Sequence, residues 1–379
     1  MTVFGTRPEA VKMAPVVRAL RDSEDFTPQV VVTAQHREML DQVLRLFQIT
    51  PDRDLDIMLP EQSLVDIVTR ALAGLSGVLG EFRPAMVLVQ GDAHTTFVGA
   101  LAAYYRQIPI GHVEAGLRTY DKYQPFPEEL NRRMTSALAD LHFAPTATSK
   151  ANLLREGIDP ERIIVTGNTV IDALLAIRGA GAERPVPGVP ALDGRRLVVV
   201  TTHRRENWGA PLREIYLALL DILEEFADVE IVFSVHPNPE VRRAVDEVLR
   251  AHPRTHLIEP PDYAPWVGLM ARADLILTDS GGLQEEAPAL GTPVLVLRQL
   301  TERPEGVAAG TVRIVGTDRA RIVEETRRLL TDPSAYGAMA RARSPYGDGR
   351  ASERIVQALR WYFKRSPQPP DEFDGSAAV

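Results

Sequence analysis

Cysteine is absent from the 379-residue chain, which excludes disulfides, thiolate nucleophiles, cysteine-zinc sites and iron-sulfur clusters. No apolar run reaches the ~18 residues of a membrane span. The opening Met-Thr-Val-Phe-Gly-Thr-Arg has no basic-then-apolar segment, so the chain reads as cytoplasmic. Lysine is scarce: only four of the 43 basic residues are lysine (Lys12, Lys122, Lys150, Lys364). Heat adaptation and a GC-rich genome account for that equally well. No Gly-x-Gly-x-x-Gly follows an expected strand, which argues against a dinucleotide cofactor. No His-Glu-x-x-His is present either, and the chemistry below invokes no metal or other cofactor. Excess positive charge is missing too. A formal net charge of −8 and a pI near 5.6 speak against a general nucleic-acid or membrane surface, so any anion must be met locally.

What is present centres on Leu275-Ile276-Leu277-Thr278-Asp279-Ser280-Gly281-Gly282-Leu283-Gln284-Glu285-Glu286. An apolar run, a tight Asp-Ser-Gly-Gly and an acidic amphipathic stretch closing on Gly291 predict strand, loop and helix. Ser280, Gly281 and Gly282 would let backbone N–H groups approach an anion at the positive end of the helix dipole, as a diphosphate requires; an ordinary βα turn is the plainer reading. Glu285 and Glu286 suit first-turn dipole compensation, and one of them could instead accept the hydroxyls of a ribose.

Around this stretch the chain alternates apolar runs with helical periods, which predicts an α/β fold of two doubly wound, Rossmann-like halves facing a central cleft. The first covers 1–178. A Gly- and Pro-rich linker spans 179–194, the second half covers 195–349, and the polar, Pro-rich end 366–379 reads as disordered. In such sheets ligands meet the carboxyl ends of strands. Arg7, Asp92, Glu114 and His203 each fall within three residues of such an end. Arg7 offers a fork for phosphate and Lys12 a point charge. Asp92 could act in catalysis or cap the helix after it. Glu114 ends an apolar strand, a setting that suits proton transfer. Glu128 follows Pro125-Phe126-Pro127 and could equally compensate a helix dipole. His203-Arg204-Arg205 reads as an anion site, His236 is open between structure and function, and Arg303 could reach ribose or phosphate. Three carboxylates in one half, with a diphosphate cradle and a histidine in the other, describe an enzyme acting on a nucleotide-linked sugar.

Phe4-Gly5-Thr6-Arg7-Pro8-Glu9-Ala10, Thr33-Ala34-Gln35-His36-Arg37, His112-Val113-Glu114-Ala115-Gly116-Leu117-Arg118, Gly167-Asn168-Thr169, His203-Arg204-Arg205-Glu206-Asn207 and Asp279-Ser280-Gly281-Gly282-x-Gln284-Glu285-Glu286 closely resemble blocks of the non-hydrolysing UDP-N-acetylglucosamine 2-epimerases. The resemblance runs from residue 2 to about 360. It implies a fold of the GT-B glycosyltransferase type, with the helix near 350–364 crossing back to the first domain, and a homodimer. The activity it implies is interconversion of UDP-N-acetylglucosamine and UDP-N-acetylmannosamine through a 2-acetamidoglucal. By position it assigns Arg7, Lys12, His203, Ser280, Gly281, Gly282 and Arg303 to the UDP phosphates and ribose, with Glu286 on the ribose hydroxyls and Trp266 near the uracil. Asp92, Glu114 and Glu128 match the acid and base carboxylates. Gln35, Glu128 and His236 match a second UDP-N-acetylglucosamine site, an activator site in many bacterial members. Ala93, Pro261, Glu38 and Glu61 depart from common family residues. The competing classes are a hydrolysing epimerase, a GT-B glycosyltransferase with a UDP-sugar donor, and a non-catalytic nucleotide-sugar sensor.

Overall fold

The computed structural model describes residues 1–34, 37–59, 62–180 and 186–375. They form two compact units, one of Met1–Leu175 with the stretch from Tyr346 onward, the other of Ala176–Pro345.

In the first unit seven strands, β1 (Thr2–Phe4), β2 (Val30–Val32), β3 (Arg53–Asp54), β4 (Val87–Gln90), β5 (Ile110–Val113), β6 (Leu141–Ala144) and β7 (Ile163–Val165), lie in the order β3-β2-β1-β4-β5-β6-β7. Every pairing is parallel. Helices on both faces bury the central strands, which is why those strands read as largely apolar runs. Leu64–Phe82 and His94–Tyr105 supply Ile67, Leu75, Val98 and Ala102 to a core with Val3, Val31, Val87, Val89 and Ile110. The strand β3 carries no apolar signal, since both its residues are exposed at the sheet edge.

The helix Arg7–Arg21 opens on a capping box. Glu9 accepts hydrogen bonds from Gly5 N at 3.1 Å and Thr6 N at 2.8 Å, fixing how the chain leaves β1. Burial pushes the Glu9 carboxyl up to about 7 in spite of these donors. Gly5 is required there because a Cβ would fall 1.9 Å from Thr33 Oγ1.

The second unit repeats the plan with β8 (Arg196–Thr201), β9 (Val229–Ser234), β10 (Thr255–Ile258), β11 (Leu275–Thr278), β12 (Val294–Val296) and β13 (Val312–Ile314), ordered β10-β9-β8-β11-β12-β13 and again parallel throughout. Its core joins Val198, Val200, Phe233, Leu275 and Leu277 to Ile215, Tyr216 and Leu219 of the helix Ala210–Glu225. In both sheets the strand order reverses direction once, between β1 and β4 and between β8 and β11. Loops diverge at such a switch point and leave a crevice beyond the carboxyl ends of the strands.

The C-terminal helix Ala351–Tyr362 belongs to the first unit. Its start is held by buried Asp172, which accepts from Ala351 N at 3.2 Å and Ser352 N at 2.7 Å. The expectation of a disordered tail needs correction for residues 366–375. Phe373 is 4% exposed and its N–H donates to Val165 O at 2.8 Å, so the tail runs along the outer edge of β7. Composition hid this because a single aromatic anchor in a polar, Pro-rich segment carries no periodic signal. Among the described residues no helix is long and apolar enough to cross a membrane.

His112 of β5 and His142 of β6 stand opposite each other in register, both fully buried. His112 Nε2 lies 2.7 Å from Gly91 O, whereas neither ring nitrogen of His142 finds a partner of good geometry. Burial holds His112 down at about 4 and His142 down at about 3. A histidine depressed in the folded state must stay neutral while its unfolded form protonates, so stability is lost as pH falls below the ordinary histidine value. For His142 that loss reaches about 2 kcal/mol at pH 5. We expect His142→Leu to lose less melting temperature than the parent between pH 8 and pH 5, by several degrees in calorimetry. The opposing contribution of Glu9 is common to both proteins and cancels. An equal pH dependence in the two would show that His142 does not titrate on unfolding.

Candidate active site

One strand beyond the switch point of the first unit, Glu114 follows β5 directly and is 7% exposed. Its φ of 63° places a non-glycine residue in the left-handed region, a strained conformation that persists only where surroundings hold it. The holding groups are donors. Lys12 Nζ lies 2.7 and 2.6 Å from the two carboxylate oxygens, Gln90 Nε2 donates to Oε2, and Asn168 Nδ2 donates to Oε1 at 3.2 Å. Lys12 is therefore seated on a carboxylate, where the sequence suggested a charge for phosphate. Arg7 begins the helix that carries Lys12.

Asp92 does not cap the following helix. The N-cap of His94–Tyr105 is Ala93, and the Asp92 carboxylate instead meets Arg132 Nη2 at 2.7 Å, one third exposed. Asn131 Nδ2 fixes the Asp92 backbone through its carbonyl at 3.0 Å. Both partners come from the helix Glu128–Leu138, whose first residue is Glu128. Glu128 also stands near His94: burial depresses the His94 imidazole, and the Glu128 charge opposes that shift. The neighbouring Glu129 is fully buried and serves the loop, accepting from Thr119 N at 3.0 Å and Tyr120 N at 3.1 Å.

The second unit gathers donors and cationic side chains around another buried carboxylate. Asp279, just past β11, is wholly inaccessible. It accepts from His203 N, Arg204 N and Asn207 Nδ2, each at 3.0 Å, and its Oδ1 lies 3.1 Å from His203 Nδ1. Burial pushes this carboxyl up, but His203 and the two backbone donors outweigh it and hold it below the usual range. His203 thus has its Nδ1 side fixed, and its ring stacks on that of exposed His236 at 5.8 Å between centroids.

Ser280, Gly281 and Gly282 lead into the short helix Leu283–Ala289. The Ser280 amide is used internally, donating to Thr278 Oγ1 at 2.9 Å. Arg303 lies directly over Gly281, its guanidinium carbon 3.1 Å from where a Cβ would sit. Its Nε donates to Glu285 Oε1 at 2.8 Å. Glu302 gathers Arg204 at 3.1 Å, Arg298 at 2.6 Å and Arg303 at 3.2 Å. Burial works against the ionised Glu302, yet the three guanidinium charges bring it down to about 2. Glu286 accepts from Tyr263 Oη at 2.8 Å. One turn on from Tyr263, Trp266 is 9% exposed in the helix Tyr263–Arg272. Neither Glu285 nor Glu286 is a solvated dipole carboxylate.

Sequence reasoning missed Gln90, Arg132, Asn168, Tyr263, Asp279 and Glu302 as individual site residues. Asp279 carried the same signal as Glu114, an acid ending an apolar strand. The others are polar residues whose roles exist only through partners distant in the chain. Gln35, which matches the activator site, lies outside the described residues, as do Glu61 and the Glu38 side chain, which depart from common family residues. No group of three metal-ligating side chains occurs among the described residues.

Comparison with known proteins places this arrangement. A family profile described as UDP-N-acetylglucosamine 2-epimerase matches residues 18–360. A UDP-N-acetylglucosamine 2-epimerase from Escherichia coli K12 is 55% identical over 367 residues, covering 95% of this chain and 98% of the relative. A crystal structure titled as a UDP-N-acetylglucosamine 2-epimerase from Listeria monocytogenes superposes with a TM-score of 0.90 at 46% identity, covering 98% of both chains. The Neisseria meningitidis epimerase, crystallised bound to UDP-GlcNAc, gives a TM-score of 0.87 at 50% identity, covering 94% of this chain and 98% of that one. The glycosyltransferase SnogD, at 17% identity and a TM-score of 0.63, shares the GT-B fold alone. The strand-end carboxylates of one unit and the histidine-arginine group of the other therefore belong to a chain that is a member of the UDP-N-acetylglucosamine 2-epimerase family.

Proposed function

We propose that the chain interconverts UDP-N-acetylglucosamine and UDP-N-acetylmannosamine by eliminating UDP to give 2-acetamidoglucal and re-adding UDP at C1 as a proton is delivered to the opposite face of C2. The observation that carries this reading is Glu114, a buried carboxylate at a strand end, met by Lys12, Gln90 and Asn168. Such a group is held in place for moving a proton and is shielded from bulk water. The relative crystallised with UDP-GlcNAc supports the substrate class.

Chemistry dictates the order of events. The C2 proton of the sugar is not next to a carbonyl and is only weakly acidic. Breaking the C1–O bond first, or nearly first, creates an oxocarbenium-like centre beside which that proton becomes far more acidic. Departure of UDP then needs fixed positive charge and hydrogen-bond donors: Arg7 and Arg303 supply the charge, and His203 with the Gly281 and Gly282 amides the donors. Preorganised donors of this kind are commonly worth ~3 to 4 kcal/mol each. Arg303 comes to this task already oriented by Glu285 and Glu302, so little reorganisation is left for the reaction. Glu286 and Tyr263 bind the ribose, and Trp266 lies on the uracil side.

Removal of the C2 proton falls to Glu114, whose donors present it as a carboxylate. Asp92, tethered by Arg132, and Glu128, beside His94, return a proton to the opposite face. The binding of a second UDP-N-acetylglucosamine as activator, near His236, and assembly as a homodimer complete the reading.

We expect Glu114→Gln and Asp92→Asn to bind UDP nearly as the parent does in calorimetry while turning over at least ~100-fold more slowly, the scale of general acid-base catalysis. Undiminished turnover by Glu114→Gln would remove that residue from the proton path. His203→Ala should lose both UDP affinity and rate. Proton NMR of UDP-N-acetylglucosamine with the protein in D2O should show UDP-N-acetylmannosamine carrying deuterium at C2. Retention of the original C2 proton would overturn the elimination scheme. Release of free N-acetylmannosamine would indicate a hydrolysing enzyme, and binding without any turnover a sensor or a transferase lacking its acceptor.

A further inference from the structure

We propose that the C-terminal segment 370–373 is a positioning element for the active-site carboxylate Glu114, acting from the far edge of the sheet through Asn168, with Phe373 as its anchor. The proposal deepens the reading above and rests on Glu114 being part of the reaction.

The strand β7 is the outermost strand of the first sheet, and an outermost strand leaves backbone groups that must find partners. The tail supplies them in two ways. Phe373 N donates to Val165 O at 2.8 Å. Val165 N donates not to a carbonyl but to Glu372 Oε1 at 3.1 Å, and Lys150 Nζ secures the same carboxylate at 2.8 and 2.9 Å. Pro370 and Phe373 are both buried. Covering an edge would by itself be a structural role.

The turn that follows β7 makes it more. Thr166, Gly167 and Asn168 are gripped by C-terminal residues that lie nearly 180 positions or more away in the chain. Arg354 Nη1 donates to Thr166 O at 3.1 Å while Asp348 holds its guanidinium at 2.7 Å. The Phe373 ring covers that guanidinium at 5.5 Å, and its Cδ1 lies 3.7 Å from where a Cβ on Gly167 would sit. Tyr346 O accepts from Asn168 N at 2.6 Å.

Asn168 delivers the effect. Its Oδ1 accepts from Val170 N at 3.1 Å, which fixes the amide orientation, and its Nδ2 reaches Glu114 Oε1 at 3.2 Å. That length is near the upper end for a hydrogen bond, so a shift of the turn by about 0.5 Å would break it. Glu114 sits at a φ of 63°, a conformation that depends on such surrounding contacts. Loosening the tail therefore reaches the carboxylate without touching it.

The test is a double-mutant cycle on the full chain, with Phe373→Ala, Asn168→Ala and the pair. Phe373→Ala should lower kcat about 5- to 20-fold with KM changed less than about twofold, the pair should be no slower than Asn168→Ala alone, and Phe373→Leu should restore most of the rate. Full kcat in Phe373→Ala with only a lowered melting temperature, or strictly additive losses in the pair, would overturn the proposal. A second measurement needs no turnover: amide hydrogen exchange on the parent and on a chain ending after Gln368. Faster exchange is expected both at 166–170 and at 112–116. Loss of protection confined to β7 would show edge cover alone. If the parent itself does not epimerise UDP-N-acetylglucosamine the functional reading fails, and the exchange result still decides the coupling.

Discussion

Burying a carboxylate at the end of an apolar strand is the constraint on which both halves of this protein depend. An unpaired charge in such a place costs several kcal/mol, and it persists only where donors converge on it. Glu114 and Asp279 each stand just past an interior strand of a parallel sheet, and each has recruited its surroundings. Lys12, Gln90 and Asn168 come from three separate βα units to meet Glu114. Asp279 draws in two backbone N–H groups, a side-chain amide and His203. The difference between the two lies in use. Glu114 is itself the group suited to move a proton, whereas Asp279 is spent entirely on fixing its neighbours.

Charge in the second unit is arranged so that positive groups are ready before a ligand arrives. Three arginines share Glu302, and Glu285 takes part of Arg303. The carboxylates orient the guanidiniums at the cost of some of their charge. In the proposed reaction that trade favours rate over tight ground-state binding, because a donor that need not move is worth more when charge develops on a leaving group. An overall charge of −8 makes the local character of this site the more necessary.

The strand alternation, the two-unit plan, the tight Ser280-Gly281-Gly282 turn into a helix and the placing of Asp92, Glu114 and His203 just beyond strand ends were legible in the sequence. Strands buried on both faces must be mostly apolar, tight turns against a neighbour must use small residues, and chemistry-bearing side chains must stand at strand ends. These are local demands, and local demands leave local marks. The strand Arg53–Asp54 left none, because an exposed edge strand buries nothing.

Pairing was decided only by the tertiary structure. Whether Asp92 capped a helix or met Arg132, whether Lys12 faced phosphate or Glu114, and which glutamate took Arg303 all depend on residues brought together by strand order. So does the tail: Phe373 reads as one aromatic in a polar run until β7 is seen to be the strand beside it. A hydrogen bond requires two groups within about 3 Å, and a sequence states what those groups are. Which of them will share that distance is settled only when the sheet has ordered its strands.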